Sequence, residues 1–285
     1  MRHVTVGEDA APRPSAVRQA AHPRRRAVGR RPRLSGWTGR GVAPLLADAA
    51  VIAAGVAAYF GVRGVTEGSA QTAVEHAQDL LQLERAIGLD VEAGLQAAVS
   101  DVPAVITVAN WVYIWGHWPA LVATLLWLAV ARRSVFRRLR DAMAISGAMG
   151  LCVYVTYPVA PPRLAGLGMA DTVTEQSYAY RVLQPPAFAN QYAALPSLHV
   201  GWNLLLGLAL VAAAGGGLLL LIGRTTPVLM ASATVITANH FVLDVAVGLL
   251  FGLVGWVVAG RLEARRQSGS DRPPPRRAVA GLLRE

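Results

Sequence analysis

From Leu198 to Gly260 the chain carries only two fully charged side chains, Arg224 and Asp244. A stretch that long and that poor in charge cannot be covered by water on a globular surface. About 20 consecutive apolar residues cross the hydrocarbon of a bilayer as one helix. The stretch breaks at Gly215-Gly216-Gly217, a tight turn, and again at Asn239-His240. The breaks leave three apolar runs: Leu198–Ala214, Leu218–Ala238 with a kink expected at Pro227, and Phe241–Gly260. Gly248 and Gly252 stand four apart in the last run, the spacing of a close-packing helix face. Three further runs precede them: Val42–Val62, which contains Asp48, Val102–Ala131, interrupted by Gly116-His117-Trp118-Pro119, and Ala142–Val159. The expected fold is therefore all-α, a polytopic membrane protein with a six-transmembrane-helix bundle. Val42–Val62 is too long and too far from the N-terminus for a secretory signal and reads as an uncleaved first span.

Charge placement sets the expected topology. The chain is 54% hydrophobic and only 15% charged, a membrane composition. Its formal net charge is +10, and every positive side chain is an arginine. Such an excess can serve nucleic acid, but these arginines flank the apolar runs: Arg24 to Arg33, Arg132 to Arg140, and Arg261 onward. They read as topology signals, and no nucleic-acid partner is expected. Six spans place both termini and the 132–140 loop on one side, the cytoplasm by the positive-inside rule. Residues 1–40 are then a disordered basic cytoplasmic tail, 41–262 the membrane catalytic domain, and 263–285 a second disordered basic tail containing Pro273-Pro274-Pro275. Within the domain, 66–100 is expected to lie on the membrane surface as an amphipathic segment. Its apolar stripe is Leu80, Leu83, Ile87 and Val91, with Glu84, Arg85, Asp90 and Glu92 between them. Residues 160–196 form the outer loop. Cys152 is the only cysteine, which excludes an intrachain disulfide and a thiolate zinc site; it is expected to be a small buried apolar residue.

Ionisable groups at the ends of membrane helices are costly unless they have partners or work. His240 and Asp244 are four apart, on one helix face, where a carboxylate can orient an imidazole and leave its second nitrogen basic. Pro196-Ser197-Leu198-His199 opens another run. Ser197 sits where an N-cap belongs, at a helix end that suits a phosphate, and His199 in the first turn could protonate a leaving oxygen. Arg163 follows Pro161 and Pro162, and a guanidinium pairs bidentately with phosphate oxygens. The predicted topology brings all five to the outer membrane boundary, a set that suits phosphoryl transfer without a metal. Metal ligation by His199, His240 and Asp244 is the competing reading; Arg163 would repel a divalent cation, and no H-E-x-x-H spacing occurs.

Tyr157 through Arg163, Tyr192 through Trp202, and Asn239 through Asp244 resemble the motifs of the type 2 phosphatidic acid phosphatase superfamily. More closely they resemble its inositol phosphorylceramide synthase-like, or inositolphosphotransferase-like, branch over roughly residues 105–260. The resemblance implies a six-helix membrane core, His240 as a nucleophile forming a phosphohistidine, Asp244 orienting it, and His199 as general acid. It implies that Ser197 and Arg163 bind the phosphate; no cofactor or metal is expected. Asn110, Tyr113 and His117 also look like that branch and are expected to line a substrate groove, with kinked-helix packing as the equal alternative. Two departures stand out: Thr156 occupies the position of the superfamily's usual lysine, and Thr234 that of its usual arginine. Arg181 in the outer loop is the candidate replacement.

The expected function is an integral plasma-membrane enzyme acting on a lipid-linked phosphate at the outer leaflet, with membrane lipids around it. Hydrolysis by water and transfer to an alcohol acceptor such as inositol or a glycan both fit one phosphohistidine. The alternative is a non-catalytic lipid transporter or structural membrane protein, which would have no need of both histidines.

Overall fold

Helix breaks follow the glycines and prolines. The computed structural model describes residue 3 and residues 43–66, 70–176 and 190–270. In chain order the helices are α1 Ala43–Thr66, α2 Ala70–Ile87, α3 Glu92–Ser100, α4 Pro103–Trp115, α5 Trp118–Ala131, α6 Arg133–Thr156, the short α7 Thr172–Gln176, α8 Leu198–Ala213, α9 Gly217–Ile236 and α10 Val242–Ser270. Among the described residues there is no strand, only an isolated bridge between Val159 and Ala193. Gly88, in the left-handed region at φ +75°, ends α2. Pro103 opens α4, and the glycine run separates α8 from α9.

The all-α expectation holds. By length and hydropathy, α9 and Val242–Ser268 of α10 can each cross a bilayer. The α4–α5 pair makes a third span if its 41° bend is one broken crossing. The remaining predicted runs fall short for stated reasons. The apolar parts of α1 and α8 are Leu46–Val62 and Leu198–Ala213, shorter than a full crossing. Helix α6 starts nine residues before the predicted Ala142, so the expected 132–140 loop is helix from Arg133 on, and Arg133, Arg137, Arg138, Arg140 and Asp141 dilute its apolar content. At the other end of the chain, α10 continues to Ser270, past the predicted tail boundary at 263. Helix-favouring Glu263, Ala264, Arg265 and Arg266 carry it on, and Arg266 pairs with Asp141 at 2.8 Å. Residue 3 apart, the rest of both tails lies outside the described residues.

Helix α10 packs along α6 and α8, and α9 along α8 and α4. Glycine allows the closest of these approaches. A Cβ at Gly248 would overlap the carbonyl oxygen of Ser197, and one at Gly252 would stand 2.8 Å from that of Gly201. The spacing read as a packing face is one. Away from those seams, Val108, Trp111, Leu126, Leu218, Leu221, Val228 and Leu250 are exposed on the outside of the helices. Cys152 is exposed on α6 rather than buried, because it turns away from the seams. Asp48, unexpected in an apolar run, is buried in α1 and pairs with Arg133 and Arg140 of α6.

The 66–100 segment differs from its predicted arrangement. Leu83 and Ile87 face outward, while Ala73, Ala77, Leu80, Leu81 and Glu84 face in. Small residues let α2 lie close to the chain after α6: Ala160 donates its N–H to the carbonyl of Ala73 at 2.9 Å, and the His76 ring stacks on Tyr157 at 3.8 Å.

Candidate active site

Three segments distant in sequence meet where α8 and α10 begin. Val159 donates to the carbonyl of Tyr192 at 2.9 Å, and Ala194 donates back to Val159 at 3.1 Å. Arg163 donates its backbone N–H to Ala238 at 3.0 Å, and Ser197 donates to the carbonyl of Asp244 at 2.9 Å. All three sequence motifs are thus joined through backbone bonds.

The turn before α10 is tight. The carbonyl of Thr234 accepts the N–H groups of Asn239 at 3.0 Å and His240 at 3.2 Å. Ala238 sits in the left-handed region at φ +53°, which costs a residue with a Cβ roughly 1–2 kcal/mol. That turn sets the His240 ring, buried to 5% exposure, with Nδ1 2.9 Å from the carbonyl oxygen of Ala194. A carbonyl only accepts, so Nδ1 holds the proton and Nε2 is the basic nitrogen. Burial holds the imidazole below its usual range, and the Arg163 charge pushes it the same way against the Ala194 bond. His240 is therefore neutral at pH 7.

Asp244 is fully buried, with Oδ2 3.4 Å from His240 Nδ1. The same oxygen accepts the N–H of Phe241 at 2.9 Å, and Oδ1 is buried without a hydrogen-bond partner. The expectation that Asp244 fixes the tautomer therefore needs correcting: the Ala194 carbonyl makes that bond, because it lies nearer to Nδ1. Asp244 is the second, more distant neighbour of that nitrogen.

His199 projects from the first turn of α8, its ring centroid 6.0 Å from that of His240. Tyr113 stacks on its ring at 4.6 Å, the His117 ring lies tilted against it at 4.0 Å, and His199 Nε2 is buried without a partner. His117 lies at the α4–α5 bend with Nδ1 3.1 Å from the amide nitrogen of Asn203, and that amide donates to the His199 carbonyl at 2.8 Å. Ser197 is the N-cap of α8, its Oγ accepting from Val200 at 3.4 Å. Arg163 reaches Asn239 Oδ1 through Nε at 3.0 Å and lies 3.6 Å from Asp171.

The five main candidates of the sequence therefore share one site. Tyr113 and His117 join it by holding the His199 ring. Asn110 does not face a groove: it is buried and engaged with Thr172 by two hydrogen bonds, at 3.0 and 3.1 Å. Arg181 lies outside the described residues. Thr234, at the position of the missing arginine, is fully buried and acts through its carbonyl. Sequence reasoning missed Asn203, which its spacing of four from His199 could have revealed, and Asn239 as the partner of Arg163. The Ala194 carbonyl carried no side-chain signal.

The N-terminus of α8, a guanidinium, a basic imidazole nitrogen and a second imidazole can together hold an anion and exchange protons with it. Among the described residues no three His, Cys, Asp or Glu side chains are grouped to hold a metal ion. No curated protein and no solved structure matches the chain. The sequence model of the PAP2 superfamily, the phosphatidic acid phosphatase type 2 proteins, matches residues 78–258. That match covers more than half of the chain and takes in all three motifs, and the chain belongs to the PAP2 superfamily.

Proposed function

We propose that this protein transfers a phosphoryl group from a lipid phosphate through a phosphohistidine on His240. Its superfamily is one of phosphatases and phosphotransferases that act on lipid phosphates. One observation carries the reading: the His240 ring, held through Nδ1, and the His199 ring, whose Nε2 is buried without a partner, stand with centroids 6.0 Å apart where α8 and α10 begin. In the first step His240 Nε2 bonds to phosphorus, the phosphorus–oxygen bond to the lipid alcohol breaks, and that oxygen takes a proton from His199. In the second, water or an alcohol attacks phosphorus, gives its proton to His199, and the phosphorus–nitrogen bond breaks. Asp244 stabilises the positive charge on the phosphorylated imidazole. Arg163, Ser197 and the first-turn N–H groups of α8 hold the equatorial oxygens.

The finer reading is an inositolphosphotransferase-like member in the plasma membrane, with six spans formed by α1, the α4–α5 pair, α6, α8, α9 and α10. The Asp141–Arg266 pair supports it by gathering the arginines of α6 and the end of α10 at the end opposite His240. By the positive-inside rule that end and both termini are cytoplasmic, and the site faces the outer leaflet.

The test is phosphate release from a panel of lipid phosphates by purified protein, with and without inositol, comparing wild type with His240→Ala. Free phosphate that depends on His240 identifies a phosphatase. A new phosphodiester formed only with the alcohol identifies a transferase. Equal product from wild type and His240→Ala overturns the mechanism.

A further inference from the structure

A helix leaves its first N–H groups without intrahelical partners. At α10 three of these are met by carboxylates: Phe241 by Asp244 at 2.9 Å, Val242 by Glu92 Oε1 at 2.8 Å, and Leu243 by Glu84 Oε1 at 2.7 Å. Only Asp244 belongs to the helix. Glu92 comes from α3 and Glu84 from α2, across 150 and 159 residues of chain. Both are buried, at 1% and 0% exposure, in a segment whose polar residues were expected to face water. Glu92 Oε2 also accepts the N–H of Val91 at 3.1 Å, and Glu84 Oε2 is buried without a partner. Burying carboxylates is expensive, and a surface helix needs none buried in order to dock. Their bonds go to the two residues between His240 and Asp244 that follow Phe241. A shift in either bond therefore moves the imidazole relative to the carboxylate behind it.

We propose that Glu84 and Glu92 are positioning residues, a two-carboxylate clamp by which the α2–α3 segment sets the first turn of α10 and with it the His240–Asp244 geometry. The role in turnover rests on the reading of His240 as the nucleophile; the clamp itself does not. Glu84 is held mainly protonated at neutral pH: burial raises its carboxyl to about 8, and the neighbouring Glu92 and Asp244 push the same way against the Leu243 bond. The groups that face it are Glu92 on α3 and Asp244 on α10; His76 lies two turns back along α2, stacked on Tyr157 from the chain after α6. A neutral acid accepts the Leu243 N–H without setting a full charge beside Asp244.

The experiment compares full-length wild type, Glu84→Gln, Glu84→Leu and Glu92→Gln in lipid nanodiscs. It follows steady-state turnover against pH and amide hydrogen exchange over residues 240–246. Glutamine at 84 keeps the acceptor and mimics the neutral acid, so exchange and kcat stay near wild type. Leucine leaves the Leu243 N–H buried and unpaired, so exchange rises and kcat falls at least about tenfold with KM little changed. Glutamine at 92 can replace only one of its two accepted bonds and falls between. Wild-type turnover declines above about pH 8 as Glu84 ionises, and Glu84→Gln removes that decline. Unchanged exchange in Glu84→Leu overturns the clamp. Raised exchange with unchanged kcat, or a decline that persists in Glu84→Gln, overturns the positioning role and leaves a structural cap. Should no variant or wild type show His240-dependent turnover, the proposed reaction fails while exchange still decides the clamp.

Discussion

His240 receives its proton position from a backbone atom and a neighbouring carboxyl group from Asp244, and the two can be separated by mutation. Asp244→Asn keeps an oxygen for the Phe241 N–H and leaves the Ala194 bond to Nδ1 in place. In the proposed mechanism it removes only the carboxylate that stabilises the phosphorylated ring. Turnover should fall about a hundredfold, less than the roughly 10⁴ that follows when a carboxylate also holds the tautomer. Single-turnover kinetics with far-UV circular dichroism check this, and unchanged turnover removes Asp244 from the mechanism. At this scale the sequence was informative about side chains and silent about backbone. The spacing of four between His240 and Asp244 announced their pairing, whereas Ala194 enters as a carbonyl, and any residue type carries one.

Among the elements, α8 and α10 must touch for the site to exist, and glycine makes that contact. Gly248→Ala drives a methyl into the Ser197 carbonyl, where neither backbone can give way cheaply. It should destabilise the protein by about 1–3 kcal/mol and lower turnover at least about tenfold, because Ser197 and His199 move away from His240. Gly215→Ala, which meets nothing within 4 Å, is the control and should behave as wild type in thermal unfolding and assay. The close-packing spacing of Gly248 and Gly252 was legible because helical periodicity is local. The inner face of α2 was not. Leu80 belonged to both the predicted stripe and the real one, but Leu83 and Ile87 turn outward, and Glu84 continues the inward face of Ala73, Ala77 and Leu80. Hydrophobicity alone assigns a carboxylate to water; only the presence of unpaired N–H groups opposite makes burial favourable.

At the scale of the whole molecule, the proposed topology separates an arginine end from a histidine end. In a Cys152→Ser background, Ala170→Cys should react with an impermeant maleimide in sealed proteoliposomes or cells from the outer side. Ala264→Cys should react only after permeabilisation. The reverse pattern would place the site in the cytoplasm and overturn the outer-leaflet reading. Removing the exposed Cys152 leaves the helix seams untouched, so assembly should be unaffected.

What the chain determined by itself is what depends on neighbours a few residues away. Apolar runs, their breaks at Gly215-Gly216-Gly217 and Asn239-His240, the N-cap at Ser197 and the His240–Asp244 pair follow from transfer free energy and helical geometry over short windows. Tertiary structure decided which partner each polar group met. It engaged Asn110 with Thr172, Asp48 with two arginines of α6, and Glu84 and Glu92 with the start of α10. Those choices answer to a cost that no short window contains: a buried polar group must find a complement, and the complement lies wherever folding has left a donor unpaired.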